Sequence, residues 1–250
     1  MVAPNGARRG QTDHPAIPIT DDALIETTLA CHRAGADGVH AHIRDKDGRH
    51  LIDAGRYRAL TEQLNEAVPG LYVQITSESA GLYTAEAQRE MIRTLRPAHV
   101  SVALREMVRT SADWPEAQAF YGWAAEAEVG IQHIVYAPAE LDALLDACDS
   151  GRIPGKRQMI QLVLGSYGGD ASDPRDLAAF TDRMTASDLD FDWMLCAFGA
   201  TETACLVEAS RLGGKVRVGF ENSLWNADGT LARDNAERVR EVADAIARNV

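Results

Sequence analysis

No stretch of this chain approaches the ~20 consecutive apolar residues that a membrane span requires, and no basic segment leading into an apolar run opens it. Neither export nor membrane insertion is expected. Basic residues are in short supply, with 25 Lys and Arg against 37 Asp and Glu, a formal charge of -12. A mean field of that sign repels phosphate backbones and anionic lipid, which argues against nucleic acid or a membrane as the main partner. An anionic substrate would need a local basic pocket. Cysteine is scarce too: Cys31, Cys148, Cys196 and Cys205 are widely separated, and no C-x-x-C pair occurs. Reduced, buried thiols in a cytoplasm are the expectation. The nucleotide signatures G-x-G-x-x-G after a strand and G-x-x-x-x-G-K-[ST] are both missing, which weakens the case for a doubly wound open sheet. Internal repeats, low-complexity tracts and linkers are absent as well.

What is present is a regular alternation of short apolar or β-branched runs with longer amphipathic segments, the pattern of βα units around a parallel sheet. Eight strands can be counted: a stub at Val2 and Ala3, then Gly38–His42, Leu71–Thr76, His99–Val102, Gln132–Tyr136, Met159–Leu164, Asp192–Ala197 and Val216–Phe220. Helices are expected near Thr20–Ala34, Thr84–Leu95, Asp113–Glu128, Pro138–Ala147, Asp173–Thr185, Thr201–Leu212 and Leu231–Arg248. Thr20 is placed as an N-cap, with Asp21 and Asp22 suited to the helix dipole and Gly35 as terminator. Eight strands alternating with helices in 250 residues predict a single (β/α)8 barrel domain over residues 1–250. The stretch Gly165-Ser166-Tyr167-Gly168-Gly169 reads as a glycine-rich βα loop and, alone, as a weak phosphate-cradle signal.

Barrel sites form where strands end, so the chemistry is sought there. In Gly38-Val39-His40-Ala41-His42-Ile43-Arg44-Asp45 the strand period of two puts His40 and His42 on one face. Two converging imidazoles suit zinc, whose catalytic sites commonly take three protein ligands. Glu221, after the closing strand and two places around the barrel, is the best third ligand. The bland alternative is a pair of hydrogen-bonded structural histidines. Arg44 and Asp45 read either as groups orienting the histidines or as an ion pair at the loop start. Other strand ends offer Thr76, Ser77 and Glu78; Ser101, Arg105 and Glu106; Gln132 and His133; and residues 199–202. Arg217 lies one strand period inside Glu221 and, if buried, needs an acidic neighbour or a substrate anion.

These segments together resemble the β-keto acid cleavage enzymes. The resemblance rests on Asn5-Gly6-Ala7, on residues 15–20 (Pro-Ala-Ile-Pro-Ile-Thr), and on residues 35–45 followed by Asp47-Gly48-Arg49. It extends through Val73-Gln74-Ile75-Thr76, residues 161–165 and residues 212–222, with His-x-His-x-Arg-Asp and Gly-Gly-x-x-Arg-x-Gly-x-Glu as its specific marks. It implies a zinc-dependent barrel, one ion per chain, usually a homotetramer, that condenses a β-keto acid with acetyl-coenzyme A to give acetoacetate and a new thioester. By that resemblance His40, His42 and Glu221 match the metal ligands, Arg217 the arginine used in proton abstraction, and Thr76 a substrate-contacting hydroxyl. Ser77, Ser101 and Glu106 join them as substrate-side candidates from their places at strand ends alone.

Departures from the family pattern bear on the chemistry. Asn222 stands where the family usually has Asp after the ligand Glu, so the carboxylate that prepares the arginine must come from elsewhere; Glu78 is preferred and Glu106 is the alternative. Arg8 stands where the lysine-fermentation member carries an acid, which implies a substrate whose far end is anionic or neutral polar and not an amine. The third-strand loop reads Thr76-Ser77-Glu78-Ser79 in place of Thr-Gly-Gly, and Gln132 and His133 replace an acidic pattern. Two other functions remain in view: a metal-dependent hydrolase of a small carbonyl substrate, and a catalytically altered metal-bound binding protein.

Overall fold

The computed structural model describes residues 1–169 and 171–249. Seven parallel strands form one sheet in chain order: β1 (Gly38–Ala41), β2 (Tyr72–Thr76), β3 (His99–Ala103), β4 (Gly130–Val135), β5 (Arg157–Leu164), β6 (Asp190–Ala197) and β7 (Lys215–Val216). The eighth stave is the N-terminal stub. Val2 bridges in parallel to Val39 on one side and to Val218 on the other. Its N–H donates to the Gly38 carbonyl and its carbonyl accepts from His40 N, both at 2.8 Å, while Ala3 N donates to Val218 O at 2.8 Å. The curled sheet thereby joins edge to edge, and the fold is the (β/α)8 type.

The longer helices are α1 (Asp21–Arg33), α2 (Ala54–Ala67), α3 (Ala85–Leu95), α4 (Trp114–Glu126), α5 (Pro138–Asp149), α6 (Ala178–Thr185), α7 (Glu202–Arg211) and α8 (Asn235–Asn249), with a single helical turn at Leu104–Met107 after β3. Side-chain caps start four of them: Thr20 accepts from Ala23 N, Asp53 from Arg56 N, Thr84 from Ala87 N and Asp234 from Glu237 N. The main core lies between sheet and helices, where Val39, Ala41, Val73, Ile75 and Val100 meet Tyr57, Leu60, Ile92 and Phe120. Alternate residues of the same strands face the barrel interior, and several there are polar. Gln74 Nε2 donates to Gln132 Oε1 at 3.0 Å inside it.

Three local expectations are corrected. The run Val216–Phe220 does not stay extended, because Gly219 adopts φ +140° with Ala3 O only 2.5 Å from where a Cβ would sit. Asn222 N and Ser223 N both bond back to Gly219 O, so Phe220, Glu221 and Asn222 lie in a turn. The last helix begins at Asn235 and not at Leu231, since Leu231 is held in an antiparallel bridge with Trp225. A short antiparallel pair, Ile43–Arg44 against His50–Leu51, follows β1 where a plain loop was expected. Asp45 makes that turn by accepting from Asp47 N and Arg49 N, each at 2.8 Å.

Candidate active site

His40 and His42 leave β1 on one face, and their Nε2 atoms lie 3.1 Å apart. Glu221 Oε2, delivered by the turn after β7, is 3.8 Å from the first and 3.5 Å from the second. All three residues are buried, with ligand atoms within 4.8 Å of one another. Gln74, the register partner of His40 on β2, holds His40 Nδ1 through its Oε1 at 2.7 Å. An amide oxygen only accepts, so His40 Nδ1 carries the proton and Nε2 presents a lone pair. Glu221 Oε2 and His42 Nδ1 have no hydrogen-bond partner. Burial, with Arg217 adding to it, pushes the His40 pKa down to about 3, which keeps the ring neutral. Burial opposes ionisation of Glu221, yet Arg217 and the two histidines outweigh it and hold the carboxyl well below its usual range. Two imidazoles and a carboxylate with an orphaned oxygen fit a divalent cation: donors on a tetrahedral zinc at about 2.0–2.1 Å stand about 3.3 Å apart.

The surrounding contacts show why these residues meet. Asn5 Nδ2 donates to the His42 and Pro18 carbonyls at 2.9 and 3.0 Å. Arg44 neither orients the histidines nor pairs with Asp45; its guanidinium gathers the carbonyls of Gly6, Arg9 and Gly48, fixing the first loop against the hairpin. Arg9 in turn donates to Phe220 O at 2.7 Å, and Asn235 bridges Phe220 N and Pro4 O. Behind them Glu202 pairs with the fully buried Arg238 at 2.8 Å and accepts from Gly219 N. The N-terminal loop and the Glu221 turn are thus tied to each other as well as to β1.

A cavity of about 370 Å³ opens over this centre, with Arg8, Thr76, Glu78, Arg105, Tyr167 and Arg217 among its walls beside His40 and Glu221. A separate hollow of about 430 Å³, at the N-terminal ends of the strands by Met1, Tyr72 and Lys215, takes in Gln132 and no other candidate residue. Arg217 Nη2 reaches Glu221 Oε1 at 3.1 Å, Cys196 Sγ at 3.2 Å and Asn222 Oδ1 at 3.4 Å. Burial works against its charge, but Cys196 and Glu221 reverse the balance and its pKa rises. Asn222 is fully buried behind Arg217, and its Nδ2 has no partner. Glu78 is half-buried; burial raises its pKa, Glu221 and Glu106 add to the rise, and His42 opposes it.

The other candidates are placed less centrally. Thr76 Oγ1 accepts from Glu78 N at 3.0 Å, and Ser101 donates to it at 3.3 Å. Ser77 spends its hydroxyl on Ser101 O, and Glu106 accepts from Ser79 N, Ser79 Oγ and Gln88 Nε2. Neither Ser77, Ser101 nor Glu106 lines the cavity. His133 packs on Tyr121 away from the mouth. Sequence reasoning passed over His50, whose ring lies 5.2 Å from that of His42 and whose Nε2 contacts Glu78 O at 2.8 Å. It also passed over Gln74 and Tyr167; only Gln74 left a signal, since its alternation with Thr76 puts it on the histidines' side of the sheet.

Residues 1–249 match the family described as beta-keto acid cleavage enzyme. This chain belongs to that family. Its relatives include the 3-oxoadipate:acetyl-CoA acetyltransferase of Cupriavidus necator, 27% identical, with the match covering 97% of this chain and 86% of that protein. The 3-keto-5-aminohexanoate cleavage enzyme of Acetoanaerobium sticklandii is 22% identical over 95% of this chain and 87% of its own length. Among solved structures, a ternary complex of ObcA with a C4-CoA adduct and oxalate superposes with a TM-score of 0.74 at 17% identity, covering 94% of this chain. This chain spans 61–64% of the length of the ObcA structures, and that likeness shows the fold alone. The first of these relatives is named as an acetyl-CoA acetyltransferase and the second as a cleavage enzyme, and no described helix here is long and apolar enough to cross a membrane.

Proposed function

We propose that this protein cleaves a β-keto acid by exchanging its acyl part with acetyl-coenzyme A, releasing acetoacetate and a new acyl-coenzyme A. The observation that carries the reading is the convergence of His40, His42 and Glu221 at the cavity of a chain matched to this family from end to end. Those three residues would hold zinc, which supplies Lewis-acid polarisation of the keto oxygen when bound. Glu78 accepts the proton from C2, between the two carbonyl groups, since its raised pKa suits it to the task better than a protonated guanidinium. Arg217 supplies fixed positive charge beside the enolate oxygen, and Thr76 contacts the substrate through its hydroxyl. C2 then bonds to the acetyl carbon as the thioester C–S bond breaks. The released thiolate attacks C3, the C2–C3 bond breaks, the acyl remainder leaves on coenzyme A, and protonated Glu78 returns its proton to C2 of acetoacetate.

Arg8 stands in the cavity wall with no carboxylate within salt-bridge distance among the described residues, and this supports a substrate with an anionic or neutral polar far end. 3-Oxoadipate, the compound in one relative's name, carries a distal carboxylate. A homotetramer in a cytoplasm, each barrel one domain holding one zinc ion, completes the proposal; the four free cysteines suit a reducing compartment. The test is to incubate the zinc-loaded protein with 3-oxoadipate and with 3-keto-5-aminohexanoate, with and without acetyl-coenzyme A. Keto-acid loss should require the thioester and favour 3-oxoadipate, and Arg8→Glu should reverse the preference in kcat/KM. Combined His40→Ala and His42→Ala should remove both the ion and turnover. Loss of keto acid without thioester would replace this reading with hydrolysis.

A further inference from the structure

The Gly165–Gly169 loop carries a side chain that no phosphate-cradle reading accounts for. Tyr167 stands over the cavity with 38% of its surface exposed, its ring tilted against Phe198 at 4.6 Å between centroids. The guanidinium of Arg8 lies 5.3 Å from the ring centroid and that of Arg9 5.6 Å. The two arginines are otherwise held differently. Arg9 is anchored by the Phe220 and Asn222 carbonyls, whereas the contact with Tyr167 is the one by which Arg8 is placed among the described residues. The phenol oxygen is directed at the floor of the site: a Cβ built on Gly6 would be 2.9 Å from it and 2.5 Å from Glu221 Cγ. Ring and hydroxyl together therefore span from the mouth, at Arg8, to the Glu221 turn.

We propose that Tyr167 is a specificity-determining positioning residue: its ring is the platform that aims the Arg8 guanidinium into the cavity, where Arg8 receives the distal anionic group of a β-keto acid. The inference deepens the proposed function and rests on it for the substrate class. A long arginine side chain at a cavity mouth loses rotamer freedom when it binds an anion, and a preformed cation–π contact removes part of that loss before the substrate arrives. Phe198 stiffens the platform from behind. A contact of this kind at a partly exposed site is worth about three- to tenfold in affinity. The effect is confined to substrates that Arg8 touches.

The experiment measures dissociation constants by calorimetry, without acetyl-coenzyme A, for 3-oxoadipate and for 3-oxohexanoate, which has the same chain length and no distal carboxylate. Parent, Tyr167→Leu, Tyr167→Phe, Arg8→Met and the double variant Arg8→Met/Tyr167→Leu are compared as zinc-loaded protein. Tyr167→Leu should lower the preference for 3-oxoadipate over 3-oxohexanoate by about three- to tenfold, and Tyr167→Phe, which keeps the ring, should restore it to within about twofold of the parent. In the Arg8→Met background Tyr167→Leu should shift the preference by less than about twofold, because the platform then has nothing to aim. Equal weakening of both ligands, independent effects of the two substitutions, or no preference in the parent would each overturn the proposal. Turnover of the parent with acetyl-coenzyme A, read separately, reports on the proposed function, so the two can fail apart.

Discussion

Gly6 shows how little room there is around Glu221. It holds φ +61°, and a Cβ there would stand 2.5 Å from Glu221 Cγ and 2.9 Å from the Tyr167 hydroxyl, so an alanine is excluded by conformation and by space together. Gly6→Ala should displace Glu221 and weaken zinc binding by about 10–100-fold, the range typical of disturbed outer contacts; a competition titration showing unchanged affinity would contradict that. In the proposed reaction Glu78 is the residue that takes the proton from the substrate. Glu78→Gln should lower kcat by about 100-fold or more at unchanged metal content, and turnover within about threefold of the parent would exclude the role. Legibility at this scale followed the geometry of strands. A period of two was enough to pair His40 with His42, and the end of an apolar run was enough to nominate Glu221. Gln74 holds His40 only because two strands are in register, and Tyr167 meets Arg8 only because loops far apart in sequence share one mouth. Neither relation is written in local pattern.

At the scale of elements, apolar runs located six strands of the sheet because each is buried on the helix side, the seventh only at Val216, and Thr20 marked the start of α1. The reading failed where tertiary contacts override a run. Val218 and Phe220 are as apolar as a strand needs, yet Gly219 and its contact with Ala3 bend the chain into the turn that presents Glu221. The two-residue strands after β1 are too short to leave a periodic signal, and Asp45 and Gly48 show only as turn residues. β4 carries a further consequence. His133 is buried beside Tyr121, and burial lowers its pKa to about 4, with Nδ1 unpartnered. An unfolded histidine titrates near 6.5, so below that pH the unfolded chain takes up a proton that the folded chain refuses until about pH 4. The stability associated with the neutral ring is complete above about pH 6.5 and is lost as pH falls toward about 4. Urea midpoints between pH 7 and 5 should therefore decline, and His133→Phe should flatten the dependence of stability on pH by about 1 kcal/mol per pH unit. An unaltered slope would mean that His133 does not resist protonation in the fold.

At the scale of the molecule, one strand stub decides both closure and site. The segment Met1–Ala3 hydrogen-bonds to β1 and to Val218, and the loop that continues from it delivers Asn5, Gly6, Arg8 and Arg9 to the mouth. Closing the barrel therefore brings the histidines of β1 and the Glu221 turn to the same opening. Against a net charge of -12, the cavity wall gathers Arg8, Arg105 and Arg217 beside Glu78 and Glu221, with Arg217 paired to Glu221 and Arg105 to Glu140. Acyl exchange at this opening would move both acetyl carbons into acetoacetate, and an isotopic label follows them. Zinc-loaded protein is given 3-oxoadipate and acetyl-coenzyme A labelled with carbon-13 in both acetyl carbons, and the products are followed by carbon-13 NMR and mass spectrometry. Acyl exchange predicts the label in C3 and C4 of acetoacetate and an unlabelled new thioester. Labelled acetate, or unlabelled acetoacetate, would contradict it.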